Sequence, residues 1–434
     1  MPERFDAVVV GAGPAGSGAA LALARAGRSV CLLERGPFPG AKNMYGGVIY
    51  GRILDQLVPH WWERAPIQRW VTRRSTMILT DEQSVSIDVR SAAWGRAPYN
   101  GATALRPDFD RWLAGLAADA GATLVCSTTA TGLLRDAAGR VCGVRTDRAD
   151  GELQSDVVIA ADGVNSFLAV EAGLYPHKTA DHFTLGAKEV LALPREELEA
   201  RFNLTGLEGA DIEILGGTHG IPGGGFVYTN LDSVVVGVVL SLRGLASARR
   251  RPEAIIASLK RHPAIAPLVA GGTLEEYSAH LIPEGGYASI PTLAGDGILV
   301  AGDAAALTLA AGIYLEGVNF AIGSGAIAGE VAAEAIAAGD TSAASLGRYR
   351  RRLAQSFVLK DHRKLRRAPS LVLGERTQTV YPKLACAIAE QLFTVENPAP
   401  KRGAVKIGRS ELRRAGVRAR DVARDAYAAL RTFA

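Results

Sequence analysis

The chain has 434 residues, of which 48% are hydrophobic and 21% charged, and its net charge is +5. This length predicts two or three domains, and the composition is that of a globular protein with a large core rather than of a disordered or fibrous one. No apolar run reaches the roughly 18 to 20 residues that span a bilayer, and the four cysteines and seven histidines lack the spacings of metal or iron–sulfur sites, so we expect no metal.

The N-terminal residues follow the order strand, glycine turn, helix, strand, acid. Residues 7–10 form the first predicted strand, and residues 30–33 form the second, which ends at Glu34 and Arg35. The turn between strand and helix consists of Gly11, Ala12, Gly13, Pro14, Ala15 and Gly16. Glycines in this pattern let a pyrophosphate approach a helix N-terminus, and an acid about 20 residues further on binds a ribose. We therefore predict a dinucleotide site, in preference to a purely structural turn.

A glycine-rich loop, PGAKNMYGG, occupies residues 39–47. Gly46 and Gly47 suit close approach of the backbone to a flat ligand, while Lys42 and Asn43 supply charge and hydrogen bonds. The alternative is a surface turn with a solvated lysine.

Arg106 stands at the start of an amphipathic segment that ends near Gly121. Its guanidinium is either a phosphate ligand, which we favour, or one half of a salt bridge at the start of the helix.

Two later strands also end in a glycine and an acid. Residues 156–161 lead into Asp162 and Gly163, and residues 297–301 lead into Gly302 and Asp303. Ligands of open α/β sheets bind at the carboxyl ends of strands, so three such ends can surround one long cofactor. This arrangement fits FAD better than NAD, although Asp162 and Gly163 alone are also explained as a strand-to-turn junction.

The pattern changes after residue 181, where apolar runs near residues 213–215, 225–228 and 234–242 predict an antiparallel sheet. We predict an α/β protein in which a Rossmann-like FAD-binding domain is joined to an α+β domain containing this sheet and to a helical C-terminal segment. The predicted boundaries are 1–180 with 281–345 for the FAD-binding domain, 181–280 for the sheet domain and 346–434 for the C-terminal segment.

Basic residues concentrate in the C-terminal segment, because residues 348–434 contain 21 lysines and arginines against 7 acids. Solvated helix faces, an acidic protein partner and an anionic lipid surface each explain this charge. A nucleic-acid partner is not expected, since no aromatic platform accompanies the basic residues. The tryptophan-rich stretch 58–70 is either an interfacial anchor or, as we prefer, part of a domain interface.

These motifs together resemble the FAD-dependent oxidoreductases with the fold of glutathione reductase and p-hydroxybenzoate hydroxylase. Within that group, the chain is similar to the FixC and electron-transfer flavoprotein:quinone oxidoreductase family over essentially its full length. The more specific motifs are KNMYGG at 42–47, GGGFVY at 223–228, HPAI at 262–265, PEGGYASIP at 283–291, EGVNFAIGSG at 316–325, YP at 381–382 and LFT at 392–394.

The resemblance implies one bound FAD. Beside the glycine turn, it assigns cofactor contacts to Glu34, Arg35, Lys42, Asn43, Gly46, Gly47, Arg106, Ala130, Asp162, Gly163, Gly302, Asp303, Gly317, Val318 and Asn319. A helix that begins near residue 317 would direct its positive end at the pyrimidine edge of the flavin and stabilise the charge gained on reduction. Asn319 would add a hydrogen bond there, and ordinary N-capping is the alternative.

In the sheet domain, the resemblance implies that Gly224 and Gly225 place backbone N–H groups near a quinone oxygen. A plain glycine hairpin is the structural alternative. No nucleophilic triad is present, which agrees with electron transfer carried by the flavin itself rather than by a catalytic side chain.

By the same resemblance, the chain would accept electrons from a two-subunit electron-transfer flavoprotein and pass them to quinone. It would do so in an NADH-fed, electron-bifurcating complex, in the cytoplasm and peripherally at the inner face of the membrane. The long quinone oxidoreductases carry a C-terminal ferredoxin-like domain with a four-cysteine motif, whereas only Cys386 lies in this segment. We therefore expect a separate ferredoxin-like iron–sulfur partner, docked on the basic residues 363–367 and the tail beyond residue 401.

Other functions share this core. A geranylgeranyl-reductase-like prenyl reductase usually carries a YxWxFP signature, whereas residues 225–230 read GFVYTN. A FAD-dependent aromatic monooxygenase or halogenase is a second alternative, although the halogenase pattern WxWxxP is missing. A subunit that binds FAD without catalysis is a third.

Overall fold

The computed structural model describes residues 3–42, 46–175, 178–312 and 314–433. Within them, the strands are β1 (Glu3–Val10), β2 (Val30–Leu33), β3 (Gly47–Ile49), β4 (Ile67–Leu79), β5 (Ser84–Arg90), β6 (Ala102–Ala104), β7 (Thr123–Val125), β8 (Ala130–Arg135), β9 (Val141–Thr146), β10 (Glu152–Ala160), β11 (Phe183–Ala192), β12 (Glu208–Gly216), β13 (Gly223–Thr229), β14 (Ser233–Ser241), β15 (Thr273–Pro283), β16 (Ala294–Gly295), β17 (Ile298–Val300), β18 (Leu309–Ala310) and β19 (Leu315–Glu316).

The helices of the described residues are α1 (Pro14–Arg25), α2 (Leu54–Leu57), α3 (Arg106–Asp119), α4 (Phe167–Glu171), α5 (Arg195–Phe202), α6 (Leu242–Ala248), α7 (Pro252–Arg261), α8 (Ala266–Val269), α9 (Val318–Ala337), α10 (Ala343–Leu346), α11 (Arg348–Gln355), α12 (Phe357–Lys364), α13 (Ala368–Val372), α14 (Tyr381–Phe393), α15 (Ala404–Arg414) and α16 (Ala419–Phe433).

The first sheet has a parallel centre in the order β17-β10-β1-β2-β7, with antiparallel strands β16, β9 and β8 added. β2 is fully buried and aliphatic, as expected of a strand covered on both faces. Val10 is in register with Leu33 and with Ala160, and Ala160 is in register with Val300. The three predicted strand ends therefore lie at one edge of this sheet, and the predicted Rossmann-like architecture is confirmed.

Helices α1 and α9 pack against each other through small residues. A Cβ on Gly325 would lie 1.9 Å from the carbonyl oxygen of Ala15, and a Cβ on Gly329 would lie 2.4 Å from that of Ala19. Among the described residues, α9 alone is long and apolar enough to cross a membrane by length and composition. Of an apolar 18-residue stretch of this helix, 72% is buried within the protein, as in the core helix of a globular domain.

The second sheet has the order β15-β11-β14-β13-β12-β4-β6-β3, with β5 paired to β4. Its pairs are antiparallel except for β12 with β4. Strands β3 to β6 come from residues 47–104, so this sheet draws on the chain well before the predicted boundary at residue 181. The hydrophobic pattern of the sequence does not indicate β4, because this strand contains Arg69. The Arg69 side chain is nevertheless buried, and its guanidinium donates hydrogen bonds to carbonyl oxygens of the loops at 206–208 and 230–231.

The C-terminal segment is helical, as predicted. Its first helices pack on the core: a Cβ on Gly323 of α9 would lie 2.9 Å from the Phe357 ring of α12. Further along, α14 packs against the second sheet, where the Cys386 thiol lies 3.8 Å from the carbonyl oxygen of Ile78. The segment is therefore part of the folded body and not an appended tail.

Candidate functional site

The glycine turn and the acid that follows β2 form one bonded unit. Gly11 has φ +100°, and a Cβ there would lie 2.4 Å from the carbonyl oxygen of Ala161. The Glu34 carboxylate accepts hydrogen bonds from the backbone N–H of Ala12 at 3.1 Å and of Gly36 at 2.7 Å. Burial raises the pKa of this carboxyl, while the two N–H donors act in the opposite direction. The fingerprint residues thus have the arrangement that the sequence predicts.

The space in front of Gly13 is open. A Cβ on Gly13 would meet no atom within 4 Å, whereas a Cβ on Gly16 would lie 1.8 Å from the carbonyl oxygen of Gly11. Gly13 caps α1 without a side-chain hydrogen bond, and the first turn of α1 contains no acidic residue. This helix end therefore has the free N–H groups and positive potential that a pyrophosphate requires.

The loop around Gly40 packs on the start of α3, because a Cβ on Gly40 would lie 2.7 Å from the carbonyl oxygen of Arg106. The Arg106 guanidinium donates two hydrogen bonds to the buried Asp110 carboxylate, both at 2.8 Å. The salt-bridge interpretation of Arg106 therefore describes a real contact, and its contact with a phosphate stays a prediction.

Asp162 stabilises the turn that follows β10. Its carboxylate accepts hydrogen bonds from the Ser166 hydroxyl at 2.8 Å and from the backbone N–H of Leu168 at 3.3 Å. Both oxygens thus hold the start of α4. The structural interpretation accounts for Asp162, and a cofactor contact by Asp162 or Gly163 stays a prediction.

The third strand end connects α1 with α9. A Cβ on Gly302 would lie 2.7 Å from the Cβ of Ala15, and the Gly302 N–H donates to the Ser324 hydroxyl of α9 at 3.0 Å. Asp303 accepts a hydrogen bond from the Thr308 hydroxyl at 3.1 Å. Gly302 therefore lies where three elements of the predicted cofactor site meet.

Asn319 is not the N-cap of α9. Gly317 holds that position, and no side chain caps this helix end. The Asn319 amide nitrogen donates to Glu316, while its buried Oδ1 has no hydrogen-bond partner among the described residues. A buried acceptor of this kind fits the imide N–H at the pyrimidine edge of a flavin. The residues present at α9 thus fit the predicted group.

The loop at 42–47 contributes a contact that the sequence did not indicate. Asn43 lies outside the described residues, and Lys42 is exposed. The Lys188 ammonium of β11 donates to the carbonyl oxygen of Gly46 and to the Tyr228 hydroxyl, the latter at 3.1 Å. Burial lowers the pKa of Lys188 to about 7. A lysine among apolar residues in the strand sequence LGAKEVL was the available signal.

An apolar cavity of about 510 Å³ lies beside the second sheet. Gly224 and Gly225 line it, as do the carboxyl side chains of Glu213 and Glu284. A Cβ on Gly224 would lie 2.5 Å from the carbonyl oxygen of Ile214, so strand packing by itself requires glycine there. The structural alternative for this pair therefore has direct support, and contact with a quinone stays a prediction.

The C-terminal helix α16 closes one side of this cavity. Val422, Ala426, Ala429 and Phe433 form its apolar lining face. Asp425, on the same helix, accepts two hydrogen bonds from Arg376 at 2.6 and 2.8 Å and one from the Tyr381 hydroxyl at 2.6 Å. These hydrogen bonds lower the pKa of Asp425 to about 2. Part of the basic segment is therefore a cavity wall, which the charge pattern did not indicate.

No group of three or more metal-ligating side chains is found in the described parts of the chain. Cys31, Cys126, Cys142 and Cys386 are unpaired thiols, of which Cys31 and Cys386 are buried.

Comparison with known proteins identifies the family. Residues 6–175 match the family model for FAD dependent oxidoreductases. The chain is 42% identical over 400 residues to Protein FixC of Bradyrhizobium diazoefficiens, which covers 91% of this chain and 92% of that protein. It is 40% identical over 395 residues to the probable electron transfer flavoprotein-quinone oxidoreductase YdiS of Escherichia coli K12, with 91% of each chain covered.

Solved structures agree on the fold. A geranylgeranyl bacteriochlorophyll reductase-like protein from Thermoplasma acidophilum superposes with a TM-score of 0.73 at 22% identity, over 96% of this chain and 100% of that one. The myxobacterial halogenase CndH has a TM-score of 0.64 at 19% identity, over 84% and 83% of the two chains. At these identities the likeness concerns the fold alone. The cofactor is FAD, and the chain is a FAD-dependent oxidoreductase that belongs to the FixC and electron-transfer flavoprotein:quinone oxidoreductase family.

Proposed function

We propose that this protein accepts electrons from an electron-transfer flavoprotein and passes them through its FAD to a quinone. The relative YdiS is named for this reaction, and FixC relatives share about the same identity. The observation that carries the proposal is the apolar cavity against β12 and β13, because it offers a hydrophobic acceptor a site on the flavin-binding body.

The size and lining of the cavity support this acceptor class. A volume of about 510 Å³ is within the range of small-molecule sites, which are mostly apolar with a few polar groups. Its walls include Leu215, Phe226, Leu315 and Val372, and its polar groups are few. A quinone ring with an isoprenoid tail has this combination of a large apolar body and two carbonyl oxygens.

The chain's own residues bind and orient the cofactor. The uncapped end of α1 faces open space at Gly13, and Glu34 directly follows β2. Gly317 is the N-cap of α9, and the first turn of this helix contains no acidic residue. FAD supplies the two-electron chemistry when bound. The positive end of α9 favours the extra negative charge of the reduced state, which makes the bound cofactor a better electron acceptor.

We further propose that the protein works in an NADH-fed, electron-bifurcating complex with a ferredoxin-like iron–sulfur protein, held peripherally at the inner face of the membrane. Four exposed basic residues within five consecutive positions support an acidic partner, namely Arg363, Lys364, Arg366 and Arg367.

The test is electron transfer from a reduced two-subunit electron-transfer flavoprotein to a soluble quinone, with the purified holoprotein present or absent. We expect quinone reduction only when both proteins are present. Rapid NADPH oxidation by the holoprotein alone, with oxygen and a phenol as co-substrates, would instead indicate a monooxygenase, and saturation of a prenyl chain would indicate a reductase.

A further inference from the structure

Glu213 belongs to a buried cluster of charged side chains on β12 and β4. Its carboxylate accepts a hydrogen bond from the Arg74 guanidinium, whose Nε lies 3.5 Å from an oxygen of Asp211. The side chains of Glu213 and Asp211 are only 14% and 8% exposed. The Arg74 guanidinium also lies 5.7 Å from the centre of the Tyr50 ring. The two carboxyl groups of the cluster are therefore largely, though not completely, removed from water.

The cluster contains more carboxyl groups than cations. Asp211 and Glu213 share the Arg74 guanidinium. Burial raises the pKa of Glu316 of β19, which is close enough to Arg74 for that cation to act in the opposite direction, and Glu316 in turn adds to the effect of burial in raising the pKa of Tyr50. When several buried carboxyl groups share one cation, burial and mutual repulsion disfavour ionisation of all of them, so the set tends to retain a proton. In agreement, burial and the neighbouring Asp211 raise the pKa of Glu213 to about 7, and burial raises the pKa of Asp211 to about 6.

Glu213 is the member of this pair that reaches the apolar cavity. It lines that cavity together with Gly224 and Gly225, whereas Asp211 does not. The sheet register explains the difference: Glu213 pairs with Phe226, beside the two glycines, and Asp211 pairs with Tyr228, two residue pairs further along. Of the two carboxyl groups, Glu213 is thus the one placed to exchange a proton with a molecule in the cavity.

The cluster also extends towards the predicted flavin site. Glu316 accepts a hydrogen bond from Asn319 at the start of α9, the position that the family resemblance assigns to the pyrimidine edge. Further titratable groups line the cavity from the C-terminal elements, namely Tyr381 and Asp425. Glu284 faces it from the end of β15.

We propose that Glu213 donates a proton to the oxygen of a quinone bound in this cavity, an inference that rests on the proposed function. Reduction of a quinone to a quinol takes up two electrons and two protons. The anionic reduced flavin would supply two electrons and one proton on returning to the oxidised state, and the positive end of α9 would stabilise that anion. Glu213 gives the second proton: its O–H bond breaks, an O–H bond forms on the quinone, and the carboxylate is left paired with Arg74. The cluster then takes a proton back from water.

The test compares two electron acceptors on the anaerobically reduced holoprotein. Decylubiquinone needs protons, whereas ferricenium accepts one electron and no proton. In E213Q, we expect flavin oxidation by decylubiquinone to slow about 100-fold, a usual size for lost proton donation, and oxidation by ferricenium to stay within about twofold of wild type. The wild-type quinone rate should fall as the pH rises through about 7, where Glu213 loses its proton, and the E213Q rate should not.

Two further variants make the result specific. E213D keeps a carboxyl group, so its quinone rate should retain the pH dependence even if the shorter side chain slows the reaction. If E213Q fails to bind FAD, the pH dependence of E213D provides the test in its place. E284Q removes another carboxyl group that lines the cavity, and we expect a much smaller loss than in E213Q.

Three outcomes would overturn the inference: a wild-type quinone rate in E213Q, equal slowing with both acceptors, or an equal loss in E284Q. Wild-type holoprotein that reacts with ferricenium but not with any quinone would contradict the proposed function, and the inference with it. A normal wild-type quinone reaction with an unaffected E213Q would contradict the inference alone.

Discussion

The Glu34 carboxylate accepts a hydrogen bond from the backbone N–H of Ala12, 3.1 Å away, and thereby joins the end of β2 to the glycine turn after β1. The second carboxylate oxygen is held by Gly36. A carboxylate has about four acceptor positions, so two hydrogen bonds to the backbone leave capacity for the two hydroxyl groups of a ribose. The acid is thus oriented before any cofactor binds.

Gly13 and Gly16 should respond differently to alanine. The methyl group added by G13A would meet no atom within 4 Å, and Gly13 has an ordinary φ of −74°. We therefore expect the free energy of unfolding of G13A to stay within about 0.5 kcal/mol of the wild-type value. Its methyl group occupies the space left for the pyrophosphate, so FAD affinity should fall at least about tenfold. G16A drives a methyl group into the carbonyl of Gly11 and should unfold. Titration of apoprotein with FAD, with thermal melts beside it, separates the two; normal FAD affinity in G13A would contradict the assignment.

Substitution of Glu34 tests the ribose contact. E34Q keeps the shape but loses the charge that strengthens hydrogen bonds to hydroxyl donors, so the Kd for FAD should rise about tenfold or more. E63Q changes an exposed acid and is the matched control. Fluorescence titration of the apoproteins measures both. Equal affinities in E34Q and E63Q would remove Glu34 from the cofactor site.

Lys188 gives the protein a pH-dependent stability. Burial lowers its pKa to about 7, whereas an unfolded chain keeps this proton up to about pH 10. Between these values unfolding takes up a proton, so the stability of the wild type relative to K188M should increase as pH rises from about 7 towards 10. Thermal melts of both holoproteins across this window measure the difference. Parallel curves for the wild type and K188M would contradict this prediction.

The Asp425 contacts hold α16 over the cavity. D425N removes the charge that Arg376 pairs with, and we expect hydrogen exchange in residues 419–433 to accelerate about tenfold, the effect of losing about 1.4 kcal/mol of charge-assisted hydrogen bonding. D421N is the control on the same helix, because the Asp421 carboxylate forms an ion pair with Arg424 of α16 itself, at 3.4 Å. Exchange monitored by mass spectrometry should distinguish them, and unchanged protection in D425N would show that apolar packing alone holds the helix.

The sequence predicted the parts of the site that depend on local spacing. Gly11, Gly16 and Glu34 could be assigned because turn, helix and strand follow each other within 30 residues, and each glycine has a backbone reason to be there. Gly302 could be assigned for the same reason, although its partners Ala15 and Ser324 are distant in the chain.

The missed residues depend on contacts between distant segments. Glu213 lies between Ile212 and Ile214, and Lys188 lies between Ala187 and Glu189. These local patterns do not reveal whether a polar face meets water or a cavity. Likewise, α16 carries exposed Tyr427 and Leu430 on one face and cavity-lining residues on another. The basic composition of the C-terminal segment indicated a docking surface and did not indicate that this helix forms a wall of the cavity.

The proposed function requires that electrons enter the FAD from an electron-transfer flavoprotein and leave it to a quinone. Stopped-flow spectroscopy of the bound flavin tests it most directly: the oxidised holoprotein is mixed anaerobically with reduced electron-transfer flavoprotein, and then with decylubiquinone. We predict that the flavin of this protein bleaches in the first mix and recovers its colour in the second, while NADH and NADPH alone leave it oxidised. Direct bleaching by NADPH, with no response to reduced electron-transfer flavoprotein, would contradict the account.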